Sequence, residues 1–409
     1  MHFSKSLLVI ILIILILTPL ILFYGYPEYF VEKPVNVKIA FLSHYLAPDF
    51  ISFKNLINRW NPYFEKMGFY VSILDIDRES ALKFLLSSQN SSVDIVVVSN
   101  FNFKKIVPYL VPLNFSSLAE RFYEKAVNPF NENEKVYAIP FHASFPILFY
   151  NKNYITAPPQ SFDQLLTFAK NFSKKYNQAS PTEYGLAIYS LEGKHSALVF
   201  QSLYETFGGQ LLANNFTVRF LSNETLENLL GFYQVLVEEE ISPPGSLYSE
   251  FSVLNDLFAK KSFPLMIQWN YAIPFLSENF TINDFGLAPL PSISVSSTSI
   301  GYVLAFGVCK FSKNQKYSVK FLESIYSNDL IKELVLIGAF PPIKGLSNIF
   351  NNLQIRSAEE IFRECYKNCV YEKYSNDFYE TFSKYLVWCL EKRISEKDFI
   401  NLITNIQYS

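Results

Sequence analysis

Past its first few residues the chain carries three histidines, His44, His142 and His195, and four cysteines, Cys309, Cys365, Cys369 and Cys389. Imidazole can hold a metal, move a proton or hydrogen-bond a polar ligand, and a thiol can bridge, coordinate or attack. The spacing removes much of this chemistry. No C-x-x-C pair is present, which excludes zinc ribbons and thioredoxin-like sites. There is no G-x-S-x-G elbow, H-E-x-x-H pair, P-loop or G-x-G-x-x-G turn either. What the chain does have is polar and aromatic residues clustered where apolar runs break: Ser43-His44-Tyr45, Ser99-Asn100-Phe101, His142-Ala143-Ser144 and Trp269-Asn270-Tyr271. Rings beside amides, hydroxyls and imidazoles suit the binding of a polar molecule.

These breaks need elements to position them. "VKIAFLSHY" (37–45) reads as a buried strand ending in polar residues, "FISFKNLINRWNPYFEKMG" as an amphipathic helix closed by Gly68, and "YVSILDI" and "ESALKFLLSS" as a second strand and helix. "VDIVVVSNF" (93–101) lacks alternation, as expected of a parallel strand covered on both faces. This order is a doubly wound α/β pattern, whose ligands lie at the carboxyl ends of strands. Those ends are the triplets at Ser43 and Ser99. A second α/β run follows: a helix N-capped by Ser161, the strand "EYGLAIY", a helix ended by Gly208-Gly209, and a helix over "ETLENLLGFYQVLVEEE". Between the two runs lies "YAIPFHASFPILFYNKNY" (137–154), two strand-like pieces interrupted by Pro140 and His142-Ala143-Ser144.

With 409 residues, half of them hydrophobic and 18% charged, the chain is long enough for two domains or two lobes with large cores. A net charge of -2 offers nothing to a phosphate backbone, so no nucleic acid is expected as partner. Most of the 27 Tyr and 40 Phe are expected to fill the core. Lys5 precedes an apolar stretch, Leu7 to Phe23, interrupted only by Thr18 and Pro19. Its length is that of a short spanning helix, and no small-x-small cleavage site follows. Residues 1–24 therefore read as a transmembrane anchor and 25–35 as a linker, with everything beyond on the outer side; a cleaved signal peptide is the alternative. Six N-x-S/T sequons are compatible with that location. In an oxidising exterior one disulfide is expected among Cys365, Cys369 and Cys389, with Cys389 joining one of the other two from a second helix and Cys309 a buried free thiol.

The order of pieces resembles the extracellular solute-binding proteins of ABC importers, the family 1 group that includes maltose- and other sugar-binding proteins. "YAIPFHASFPILFYNKN", "PPQSFDQLLTFAK", "GLAIY", "FGGQLL", "FAKKSFPLMIQW", "FGLAPLP", "GYVLAFGVCKFSKN" and "AFPPIKG" follow one another as in that family, over about residues 36 to 400. Ser161-Phe162 stands where the family has Thr-Trp, and Asn153 where it has an acidic residue. The resemblance implies a two-lobed α/β fold, periplasmic-binding-protein-like (type II), behind the transmembrane anchor. Its N-lobe would span 36–140 and 288–328, and its C-lobe 141–287 and 329–409. The crossings would lie at 137–150, with Pro140 ending the N-lobe strand and His142-Ala143-Ser144 at the hinge, near 286–291, and near 326–336.

The implied function is capture of a neutral sugar or oligosaccharide in the interlobe cleft and delivery to the permease of an ABC transporter, by a monomer held at the cell membrane with its folded part extracellular. No cofactor, metal or catalysis is implied. Apart from Glu192, no carboxylate closes a strand facing the cleft. The implied ligand-binding residues are His44, Tyr45, Ser99, Asn100, Phe101, His142, Ser144, Trp269, Asn270, Tyr271, Gly301, Tyr302, Phe378 and Tyr379. Trp269 would stack on a sugar face while Asn100, His142 and Ser144 bond its hydroxyls. The alternative is a metal-binding protein of the same fold, with ferric iron at His44, His142 and His195 and tyrosines, or a peptide-binding one.

Overall fold

The computed structural model describes residues 33–405 apart from 43–49, 78–79, 81, 84–91, 115–119, 190–192, 215–216, 221, 245–250, 278–283, 293–298, 351–352 and 369–375. Its apolar runs form the strands β1 Val35–Phe41, β2 Phe69–Ile73, β3 Ile95–Ser99, β4 Ala138–Ser144, β5 Pro146–Asn151, β6 Leu186–Ile188, β7 Leu265–Trp269, β8 Phe285–Ala288 and β9 Tyr302–Val308. Two short ribbons complete the strands. The longer helices are α1 Phe50–Glu65, α2 Phe162–Asn171, α3 Lys194–Thr206, α4 Asn223–Glu238, α5 Phe251–Ala259, α6 Gln315–Ile325, α7 Asn328–Leu336, α8 Leu353–Asn368, α9 Asn376–Leu390 and α10 Glu396–Thr404.

Two sheets carry two lobes. The first has the order β2-β1-β3-β9-β4, the second β8-β5-β7-β6. In the first, β1 runs parallel to β2 and β3, and β9 enters antiparallel between β3 and β4. Every residue of β3 is buried, so its lack of alternation reflects cover on both faces. Helix α1 buries Phe53, Leu56, Ile57 and Phe64, and Phe64 stacks on Phe69 of β2 at 5.4 Å. The chain leaves α1 through Gly68 at φ +88°, a conformation costly for any residue with a Cβ.

The sequence interruption at Pro140 is no interruption of the strand. β4 runs through it to Ser144 with every residue buried. Its pairing with β9 slips between Leu304 and Ala305, so Phe141 is the extra residue of a bulge. β4 is also the edge of its sheet. Edges and bulges are the places where a residue without an N–H does not cost a ladder bond. The chain therefore passes from the first sheet to the second at Phe145, between Ser144 and Pro146, and not at Pro140. Helix α7, expected with the C-lobe, instead packs on α1 and α6 of the first lobe, burying Leu330, Ile331, Leu334 and Val335. Arg59 and Glu333 form an ion pair across that contact at 2.7 Å. The segment after α7 remains there, since Ala143 donates its N–H to the Phe340 carbonyl at 2.8 Å.

The cysteine expectation is met in one part and corrected in another. Cys309 is a buried free thiol, which burial pushes far above its usual range. Cys389 is also free and buried, its pKa raised to about 11 by burial and by Glu396, so the bridge expected from it does not form. The reason is packing: α9 lies against α3, α4 and α10, whereas α8, which carries Cys365, lies against β8 and the turn Glu124–Val127. Cys369 falls outside the described residues, as does the apolar stretch at 7–23. Among the described residues no helix is long and apolar enough to cross a membrane.

Candidate functional site

The strand ends meet at the seam between the lobes. Phe101, just after β3, stacks on Tyr302 at the start of β9, with centroids 5.6 Å apart and planes 19° apart. From the other lobe, Tyr379 of α9 sets its ring edge against Phe101 at 5.3 Å, and its hydroxyl donates to Gln201 Oε1 at 2.9 Å. Helix α3 starts after Gly193, whose φ of +135° is a value L-residues rarely adopt. That start delivers Lys194 and His195, both buried, to the seam. Lys194 Nζ sits 4.6 Å above the Tyr302 ring and 3.4 Å from its hydroxyl. His195 meets Tyr302 at 5.5 Å and Trp269 at 5.4 Å, edge to face both times. Trp269 stacks on Tyr271 at 6.0 Å with planes 8° apart, and Tyr271 lies 6.3 Å from His142 of β4. A continuous chain of rings thus crosses from one lobe to the other and back.

The polar atoms at this seam are of two kinds. Asn100 receives the Val303 N–H at 3.0 Å and donates to the Gly301 carbonyl at 3.3 Å, which clamps the end of β3 to β9. Asn270 receives the Phe145 N–H and donates to the Ala143 carbonyl, each at 3.1 Å, and so pins the passage between the sheets. Ser144 donates to the Tyr302 carbonyl at 3.3 Å, and Ser99 bonds Asn102. His142 and Trp269 differ. The His142 Nδ1 accepts the Phe340 N–H at 3.1 Å, while its Nε2 has no partner among the described residues. Burial lowers its pKa from 6.5 to about 3, which keeps the ring neutral. With Nδ1 accepting, the one ring proton is on Nε2. The indole N–H of Trp269 is likewise buried without a partner among the described residues.

The structure thus brings Phe101, His142, Trp269, Tyr271, Tyr302 and Tyr379 together. It engages Ser99, Asn100, Ser144 and Asn270 with the protein itself, and uses the Gly301 carbonyl as the acceptor for Asn100. Phe378 is buried against Tyr379 and Phe382, its neighbours on α9. Trp269, expected to be open to the cleft, is 0% exposed and has a face against Tyr271, because strand β7 ends inside the ring chain. His44, Tyr45 and Glu192 lie outside the described residues. Sequence reasoning missed Lys194 and Gln201. The available signal was "GKHS", a glycine immediately before a lysine and histidine at a helix start. Glu205, one turn on from Gln201, accepts its amide N–H at 3.0 Å, and burial raises its pKa to about 7 against that bond. Among the described residues no group of three or more His, Cys, Asp or Glu side chains is placed to hold a metal ion. The surface depressions of about 420 Å³ near Arg393 and about 610 Å³ near Asn223 open away from the seam.

Residues 61–352 match the family described as bacterial extracellular solute-binding proteins. The chain belongs to that family. Over 252 residues this binding protein is 25% identical to the maltotriose-binding protein of Pyrococcus abyssi (strain GE5 / Orsay), a match covering 60% of this chain and 52% of that one. It therefore spans about half the length of the curated relative it matches. Among solved structures, maltose-bound MalE3 of T. maritima superposes with a TM-score of 0.74 at 17% identity, over 90% of this chain and 98% of the other. The GacH receptor of Streptomyces glaucescens GLA.O gives 0.72 at 17% identity, over 91% and 97%. A solute-binding protein of Thermotoga lettingae TMO bound with alpha-D-tagatose gives 0.70 at 16% identity, over 91% and 98%. The binding protein has the two-lobed α/β fold of these neighbours, as the order of its sequence pieces implied.

Proposed function

We propose that this binding protein captures a neutral sugar or oligosaccharide at the seam between its lobes and hands it to the permease of an ABC transporter, without chemistry. The observation that carries the reading is the seam itself. A run of aromatic rings from both lobes accompanies two buried N–H groups that have no acceptor among the described residues. Sugars offer apolar CH faces to rings and oxygens to donors, so the two features suit one ligand class. The relatives add support, since those named above are described with maltotriose, maltose, acarbose and tagatose. The rings of the two lobes lie against one another, so entry of a ligand between them requires the lobes to part and reclose. The permease would then read the closed, loaded form, which ligand populates by differential affinity. The apolar stretch at 7–23 is the proposed membrane anchor, and the protein acts as a monomer.

The test is thermal stabilisation by maltotriose, maltose and tagatose. A ligand at 100 times its Kd adds about 2.7 kcal/mol. A chain whose melting none of these sugars moves would sink the proposal.

A further inference from the structure

Two donors on opposite lobes have no acceptor among the described residues: His142 Nε2–H on β4 and Trp269 Nε1–H on β7. His142 is 1% and Trp269 0% exposed. They flank one ring, Tyr271, whose centroid is 6.3 Å from the imidazole and 6.0 Å from the indole. An unmade hydrogen bond at such depth carries a desolvation penalty, and folded proteins retain few. Neither group can serve as an acceptor. The indole nitrogen is a donor only, and the imidazole's lone pair is occupied by the Phe340 N–H. Asn270 Oδ1, next to Trp269 in the chain, accepts the Phe145 N–H. The seam therefore holds surplus donors.

We propose that His142 and Trp269 are paired specificity-determining donors, one from each lobe, which read two acceptor oxygens of the bound sugar. The inference rests on the sugar-binding reading and adds which atoms do the reading and with what polarity. A ligand that engages both donors ties the lobes together, so recognition and closure are the same event. A ligand presenting an ammonium at either point meets donor against donor and is refused. Trp269 then contributes through its N–H as well as through its ring.

The experiment uses the full chain in a non-glycosidic detergent, with maltotriose as the calorimetric probe. His142→Asn keeps an oxygen to accept the Phe340 N–H and removes the Nε2 donor. His142→Gln returns a donor near the lost one, and Trp269→Phe keeps a ring while deleting the N–H. His142→Asn and Trp269→Phe are each expected to weaken maltotriose binding on the order of tenfold, the size of one hydrogen bond. His142→Gln should recover part of the loss, which a purely structural histidine would not predict. Unligated melting, measured in parallel, separates lost binding from lost folding. Wild-type affinity in both His142→Asn and Trp269→Phe overturns the proposal while leaving sugar binding intact. A wild-type chain that binds neither maltotriose, maltose nor tagatose overturns the sugar reading, and this inference with it.

Discussion

Asn270 and Trp269 are neighbours in the chain, both fully buried at the end of β7, yet their polar atoms are used oppositely. The Asn270 amide is saturated by backbone groups on either side of the passage between the sheets. The Trp269 N–H bonds nothing among the described residues. The same contrast recurs in the first lobe, between Asn100, which clamps β3 to β9, and His142, which uses one ring nitrogen while the other has no partner among the described residues. Burial alone therefore does not distinguish these polar groups. What distinguishes them is whether a partner is found among the described residues, because an unsatisfied group is costly unless something else completes it.

The comparison can be broken most forcefully at Trp269. Truncation to Ala removes a whole buried ring and should lower stability by about 3–5 kcal/mol, read as a shift in chemical denaturation midpoint. Small loss there would mean that the ring is not part of the core. His142 gives the next effect. Its folded pKa of about 3 lies below the unfolded 6.5, so the unfolded chain takes up the proton first as pH falls. The contribution is fully present above pH 6.5 and is lost toward pH 3, at about 1.4 kcal/mol per unit, or roughly 3 kcal/mol by pH 4. His142→Asn should remove this part of the acid slope, so wild-type and variant stability curves that stay parallel from pH 7 to 4 would contradict a buried neutral imidazole.

Asn270→Ala strips partners from a buried N–H and a buried carbonyl and should cost about 2–3 kcal/mol of stability. Asn100→Ala, at a half-buried position, should cost less. Equal and negligible losses at both would erase the distinction between clamps and readers. Glu205 supplies an effect of opposite sign to that of His142. Its folded pKa of about 7 lies above the unfolded 4.5, so stability is fully present below pH 4.5 and falls as pH rises through 7. Glu205→Gln should therefore stabilise the protein by about 3 kcal/mol at pH 8 and by nothing near pH 4. Stability titrations of the two chains would show it as a pH-dependent gap.

The sequence by itself determined the strand–helix order, because apolar period and capping residues are local signals. Gly68 closed α1 and Ser161 capped α2 as read, and the unalternating 93–101 run was a doubly covered strand. The order of pieces also carried the family. Tertiary structure alone decided the rest. Pro140 looked like a strand end because a missing N–H usually stops a ladder, and only the edge position and bulge opposite Leu304 and Ala305 explain why β4 continues. Helix α7 was assigned to the wrong lobe because an amphipathic face does not say which surface it covers. The strand-end asparagines read as ligand residues because the type of a polar side chain says nothing about its partner. Lys194 and Gln201 reach the seam through a helix start fixed by Gly193, a placement that exists only once α3 and α9 have packed. Whether a polar atom is satisfied depends on residues up to about 200 positions away, as His142 and Phe340 show, and such pairings are set by folding rather than by neighbours in the chain.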